Sequence, residues 1–209
     1  MLAGIGGRRL AVTARGRTAP FEAGGTVPRP LERPFFSRPS PVVARALLGC
    51  WLVRRRQGEL LRVQLCETEA YLGHEDPASH ARRGPTQRNL PMFGPPGRAY
   101  VYFVYGMHYC FNIVTGEEGT AAAVLVRGAM PLAEAPLRVD GPARLCKALS
   151  IGREQNGIDL CDPLAGEIWL ERGRRPLGSR VVVSPRIGVR DRTPWRFALA
   201  LAAAPRLPL

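Results

Sequence analysis

The stretch 60–72, LLRVQLCETEAYL, alternates apolar and polar side chains with a period of two, and no other feature restricts the fold of this chain as strongly. That period places successive side chains on opposite faces of a strand. With WLVRR at 51–55 before it and Gln57-Gly58 between, the pattern reads as a β-hairpin. Leu61, Val63 and Leu65 point to one side of the second strand, Arg62 and Gln64 to the other. Carried forward, the alternation puts Glu67, Glu69 and Tyr71 on the apolar side. A carboxylate on a buried face is costly unless it is paired or used. A strand that stops at Cys66 would instead leave both glutamates in a solvated loop, and periodicity alone does not separate the two.

The remaining elements follow from similar cues. Ser40-Pro41 reads as an N-cap and first helical residue, with Val42, Val43, Ala46 and Leu47 as the apolar stripe and Gly49 as the stop. Residues 73–98 are rich in Gly, Pro and Arg and form a long connection of the kind that carries function. A second hairpin follows, AYVYFV and HYCFNIV around a turn at Tyr105-Gly106-Met107, with Tyr100 and Tyr102 on one face. AAAVLVRGAMPL reads as a buried strand interrupted by Arg127. Asp140-Gly141-Pro142 opens a short helix with Leu145, Ala148 and Leu149 as its stripe and Gly152 as its stop. EIWLERG, SRVVVSPRIGV and WRFALAL supply further strands. The sum is α+β, mostly antiparallel strands with a few helices. Residues 1–34 read as a disordered basic tail, residues 35–204 as one domain, and the terminal AAAPRLPL as frayed.

Charge narrows the class of partner. Thirty Lys and Arg face 17 Asp and Glu, a formal net charge of +13, and Lys147 is the one lysine among them. Such an excess favours a polyanion, nucleic acid before membrane, because no stretch has the basic amphipathic period of an interfacial helix. No apolar run approaches the roughly 20 residues of a membrane span. Five cysteines without a CxxC pair, in apolar surroundings, suit reduced buried thiols of a cytoplasmic protein. His74 and His80 flank a proline-containing segment and lack the helical HExxH spacing, so neither a metal nor another cofactor is expected.

Taken in order, ETEAYLGHEDPASH, RGPTQRN, MFGPPGRAYVYFVYGMHYCFNIV, AAAVLVRGAMPL, GPARLCKALSI and WLERG resemble the methylpurine (alkyladenine) DNA glycosylase family. The resemblance runs from about Ala44 to Phe197. It implies a single mixed domain around a curved, open-barrel-like antiparallel sheet with a protruding hairpin. It implies an enzyme that excises damaged purines from double-stranded DNA, and one molecule per lesion, a monomer, is the natural default. By the same resemblance Glu69 matches the catalytic base, and Arg127 matches a residue orienting the water and nucleotide. Tyr71, His80 and Tyr102 match walls around the flipped base, Asn112 a pocket residue that rejects ordinary guanine, and Tyr105 the hairpin-tip side chain that fills the gap in the duplex. His108 departs from the aromatic residue often found there, and two extra residues separate Asn112 from Arg127.

The chemistry agrees with these roles. Hydrolysis of an N-glycosidic bond develops positive charge on the sugar, which an ionised carboxylate stabilises while it activates water. Glycosylases that also nick the strand need an amine nucleophile, and Lys147 falls in a predicted helix far from the acidic cluster. A non-catalytic nucleic-acid-binding module explains charge and tyrosines equally well, yet gives no reason for Glu67 and Glu69. A hydrolase of free nucleosides accounts for the carboxylate and leaves the charge unexplained. Glu67 and Asp76 are expected to be structural or salt-bridged rather than catalytic, and His74 to lie at the surface.

Overall fold

A computed structural model describes residues 29–131, 139–164 and 166–200. The expectations for residues 1–28 and for the C-terminal segment from Leu201 lie outside the described residues. Residues just before the predicted domain start already belong to the packing. Pro30 bridges to Glu171, Leu31 is buried in the core, and a short helix α1, Arg33–Phe36, follows.

The first hairpin forms as the pattern requires. Strands β1, Trp51–Arg56, and β2, Glu59–Leu72, pair in register from Trp51 opposite Gln64 to Arg56 opposite Glu59. Helix α2, Ser40–Leu47, packs on β2, and Gly49, with φ of +88°, ends it. Ser40 is not the N-cap. Pro39 holds that position, and the Ser40 hydroxyl is buried, donating to the Ala123 carbonyl at 2.8 Å.

Beyond the hairpin, β2 does not stop at Cys66. It runs on to Leu72 against strand β5, Ala122–Pro131, and near Glu67 it also meets strand β9, Arg196–Ala200. The predicted facing of the two glutamates is nevertheless overturned. Leu65 lies opposite Ala129 and Glu67 opposite Gly128, so Cys66 is an additional residue inserted on the β2 side. Such a bulge inverts the alternation beyond it. Leu61, Val63 and Leu65 pack on the main core, and past the bulge Cys66, Ala70 and Leu72 take over that role. The Thr68 hydroxyl, between them, donates to the Ala44 carbonyl of α2 at 2.9 Å. Glu67, Glu69 and Tyr71 therefore leave the core side. A second slip follows at once, where Glu67 faces Gly128 and Thr68 faces Val126, making Arg127 the inserted residue of β5. Val124, Val126 and Ala129 stay in the core while Leu125 and Arg127 face the other way, into a cavity.

The second hairpin consists of strands β3, Ala99–Val104, and β4, His108–Thr115, and β4 pairs in turn with β5. Strand β6, Val139–Asp140, joins the β5 edge, and β7, Ile168–Glu171, lies beside β1. Strand β8, Arg180–Ser184, pairs with β9. All pairings are antiparallel, and the sheet of order β3-β4-β5-β2-β1-β7 curls into a half-barrel. Residues 185–189 were expected to prolong β8. Pro185 ends the strand instead, since it has no N–H for a ladder, and the segment becomes a strap across the face carrying Glu69. Helix α3, Pro142–Ala148, forms after Gly141, but its buried stripe is Leu145, Cys146 and Leu149, with Ala148 exposed.

A buried carboxylate behind an aromatic cavity

The face that β2 turns away from the main core carries a cavity of about 340 Å³. Tyr71, His80, Tyr102, Asn112 and Arg127 all line it, and Tyr105 stands at its mouth. Every residue to which the sequence assigned a pocket role is thus brought to one place by four segments of chain.

Glu69 lies behind this lining with no accessible surface. Its Oε2 accepts a hydrogen bond from the Tyr71 hydroxyl at 2.9 Å, and Oε1 accepts one from the Ile187 backbone N–H at 2.7 Å. Arg127 Nε is 3.4 Å from Oε1. A buried carboxylate is tolerable because each oxygen has a donor and a cation stands alongside. The arrangement holds the anion in place and still leaves lone pairs on both oxygens for a further donor.

Glu67 is engaged differently. Its Oε1 receives Arg127 Nε at 3.0 Å and Arg196 Nε at 2.8 Å. Burial alone would raise its pKa, but hydrogen bonds and charge from Arg196, then Arg127, hold it below the usual carboxylate range. Arg127 is consequently anchored by Nε, and its terminal nitrogens have no protein hydrogen bond among the described residues. Asp76 is also ion-paired, to the buried Arg186, as expected for a structural acid.

The aromatic wall is tightly interlocked. The His80 ring packs edge-on to Tyr102 at 4.5 Å between centroids, and Tyr100 lies 5.3 Å from Tyr102. His80 Nδ1 is 3.0 Å from the Tyr100 hydroxyl. Partial burial of the ring, with the charge of Arg88, lowers the His80 pKa, so imidazole rather than imidazolium faces the cavity at neutral pH. Burial pushes Tyr102 above its ordinary value; burial and then the Glu69 charge do the same to Tyr71. The Tyr71 hydroxyl therefore keeps its proton and remains a donor to Glu69.

Some site residues escaped the sequence reading. Tyr100 appeared only as a face-mate of Tyr102. Asn89, within RGPTQRN, is a buried staple: its Nδ2 donates to the His80 carbonyl at 2.8 Å, and its Oδ1 accepts the Thr86 N–H at 2.6 Å. A lone polar residue in a loop gives no local signal of that role. Ile187 and Arg186 carry none either, because their partners are more than a hundred residues away. Asn112 donates through Nδ2 to the Tyr100 carbonyl at 2.9 Å, so part of its work is to hold the hairpin.

Tyr105 is 86% exposed at the tip between β3 and β4. Both central residues of the turn have positive φ, +53° at Tyr105 and +67° at Gly106, and the Met107 N–H closes it on the Val104 carbonyl at 3.3 Å. A mirror-image turn of this kind suits the twist of a hairpin, but a bulky aromatic is an unusual occupant. Lys147 lies exposed on α3 and is not among the residues lining the cavity. Among the described residues no helix is long and apolar enough to cross a membrane.

Comparison with known proteins places most of the chain. The family model described as methylpurine-DNA glycosylase matches residues 34–202. A protein of Anaeromyxobacter dehalogenans with the provisional name 3-methyladenine DNA glycosylase is 47% identical over 175 residues, 81% of each chain. A Myxococcus xanthus protein of the same provisional name is 47% identical over 167 residues, covering 79% of this chain and 84% of its own. Another, from Methanocella arvoryzae, is 43% identical over 185 residues, covering 80% and 90%. The family match covers most of the chain and every described strand, and the relatives agree with it: the chain belongs to the methylpurine-DNA glycosylase family.

Proposed function

We propose that this protein everts alkylated or deaminated purines from double-stranded DNA and hydrolyses their N-glycosidic bond with a water activated by Glu69, leaving an abasic site. The observation that carries the proposal is a wholly buried glutamate whose donors, Tyr71 and Ile187, are themselves walls of an aromatic cavity of ligand size.

A base inside a stack is out of reach, and extruding it costs a few kcal/mol, least where alkylation has weakened pairing. Tyr105, presented at the hairpin tip, takes the place of the lost base and recovers part of that cost. Tyr71, His80 and Tyr102 hold the purine between ring faces, and neutral His80 does not repel a purine made cationic by alkylation. As the bond from C1′ to the base nitrogen breaks, its electrons leave with the base and positive charge grows on the sugar. Ionised Glu69 stabilises that charge and accepts the proton of the water whose oxygen bonds to C1′. Arg127, tethered through Nε, offers its terminal nitrogens to that water or to the nucleotide phosphate. Lys147 is exposed and is not among the residues lining the cavity, so no Schiff base forms and the strand is left intact.

The test incubates the protein, with EDTA present, with duplexes holding 3-methyladenine, 7-methylguanine, hypoxanthine or ethenoadenine, and reveals abasic sites with alkali. Glu69→Gln keeps binding to lesion duplex and loses base release. Excision at the parent rate by that variant removes Glu69 from the mechanism. Lesion binding by the parent without any abasic product leaves a binding module in place of an enzyme.

A further inference from the structure

Behind the cavity lies a cluster that the proposed chemistry does not use directly. Arg186 and Asp76 are both completely buried at their side chains, and they meet through two bonds, Nη1 to Oδ2 at 2.5 Å and Nη2 to Oδ1 at 2.9 Å. Nη1 also donates to the Ala70 carbonyl at 3.0 Å, and Nη2 to Asp191 Oδ2 at 2.8 Å. The guanidinium carbon lies over two rings, 4.6 Å from the centroid of Tyr71 and 5.0 Å from that of Trp195. Asp76 also accepts the Leu72 N–H at 3.1 Å and the Ala78 N–H at 2.9 Å.

Two charges with no surface access are an expensive way to tie a loop, since apolar residues of similar volume often serve stability as well or better. What apolar residues lack is direction. Arg186 touches three things that bear on Glu69. It stacks on the ring of Tyr71, whose hydroxyl holds Oε2. It immediately precedes Ile187, whose N–H holds Oε1. Through Asp76 it fixes the turn from Leu72 to Ala78 that leads into His80. Both protein hydrogen bonds to Glu69 are thereby referred to one rigid fork. Resting on the hydrolytic reading above, the geometry points to Arg186 as a positioning residue: clamped by Asp76, it sets the orientation of the Glu69 carboxylate through Tyr71 and Ile187 without touching the substrate.

A lysine at this position keeps the charge but has neither the planar fork nor the flat face for stacking. Misplacement of a catalytic group by about 1 Å is enough to lower a rate roughly 100-fold. Arg186→Lys is therefore expected to lower the single-turnover excision rate by about 10- to 100-fold. Affinity for a duplex containing a stable abasic analogue stays within about two-fold, since Arg186 makes no contact with the cavity's contents. In a Glu69→Gln background the same change causes no further loss, because two residues that act through one step are not additive. A residue serving only the fold would weaken binding along with the rate and would erode whatever activity Glu69→Gln retains. If Arg186→Lys does not fold, Asp76→Asn and Asp191→Asn, each of which frees part of the fork, are read in its place.

Excision at the parent rate by a folded Arg186→Lys overturns the clamp. So does a loss of rate matched by an equal loss of affinity, or a failure of all three variants to fold. Absence of excision by the parent protein would strike the hydrolytic reading itself, and is distinguishable because it precedes any comparison of variants.

Discussion

Glu67 and Glu69 are two positions apart, identical in type and both buried, yet their surroundings give them different work. Glu67 gathers two arginines at one oxygen, while Glu69 receives a hydroxyl and a backbone N–H and only the edge of Arg127. Arg127 Nε is shared between them, 3.0 Å from Glu67 and 3.4 Å from Glu69. Glu67 thus restrains Arg127 from closing into a full ion pair with Glu69. In Glu67→Gln that restraint is gone, and excision is expected to slow by about 10-fold in single-turnover assays, with folding retained. The same glutamate has a readable effect on stability. Its pKa is lowered in the folded protein, so its stabilising contribution is complete above the ordinary value of about 4.3 and is lost as pH falls through the lower folded value. Urea midpoints measured between pH 6 and pH 3 should decline less for Glu67→Gln than for the parent; equal declines would mean that the pair of arginines does not hold the charge.

The β3–β4 hairpin and the two bulges show how elements were turned to the site's needs. A residue with its φ at +53° and 86% exposure gains nothing from the core, and left-handed backbone costs a non-glycine residue about 1 kcal/mol or more. Asparagine tolerates that backbone best among residues with a side chain. Tyr105→Asn is therefore expected to melt at the parent's temperature or slightly above it. Excision should fall mainly for lesions that still pair well, such as hypoxanthine, because those depend most on a side chain to fill the gap. An unchanged rate across lesions would make Tyr105 an ordinary surface residue. The bulges act in the opposite way, by redirecting rather than presenting. Inserted Cys66 turns Glu67, Glu69 and Tyr71 out of the main core, and inserted Arg127 turns its own side chain to the same side. Gly128 opposite Glu67 leaves room for this pairing, since a Cβ there would approach that of Glu67 to 3.1 Å.

At the scale of the molecule, a chain of net charge +13 carries its proposed catalytic group as a fully buried carboxylate. The two are compatible only because the anion is out of reach of phosphate. Affinity for lesion duplex should fall with rising salt, the slope of log affinity against log concentration being about −0.9 for each phosphate neutralised. Glu69→Gln should show the same slope as the parent, and a shallower or steeper one would place Glu69 in contact with the backbone of DNA. Much of this organisation was legible in the chain itself. Period-two alternation and the Gln57-Gly58 and Tyr105-Gly106 turns are local signals, and they identified both hairpins and the α+β class. Resemblance then named Glu69, Arg127 and the aromatic wall. The facing of Glu67 and Glu69 could not be read in the same way, because one inserted residue reverses every side chain beyond it and leaves no mark in composition or period. Nor could the donors to Glu69 be foreseen in full, since Ile187 arrives from 118 positions away and Arg186 reaches Asp76 across 110. Sequence alone determined the two hairpins and their turns, since those depend on neighbours along the chain. Only the tertiary structure decided which face holds the carboxylate and what holds it there, because a buried charge is oriented by partners that the fold brings together.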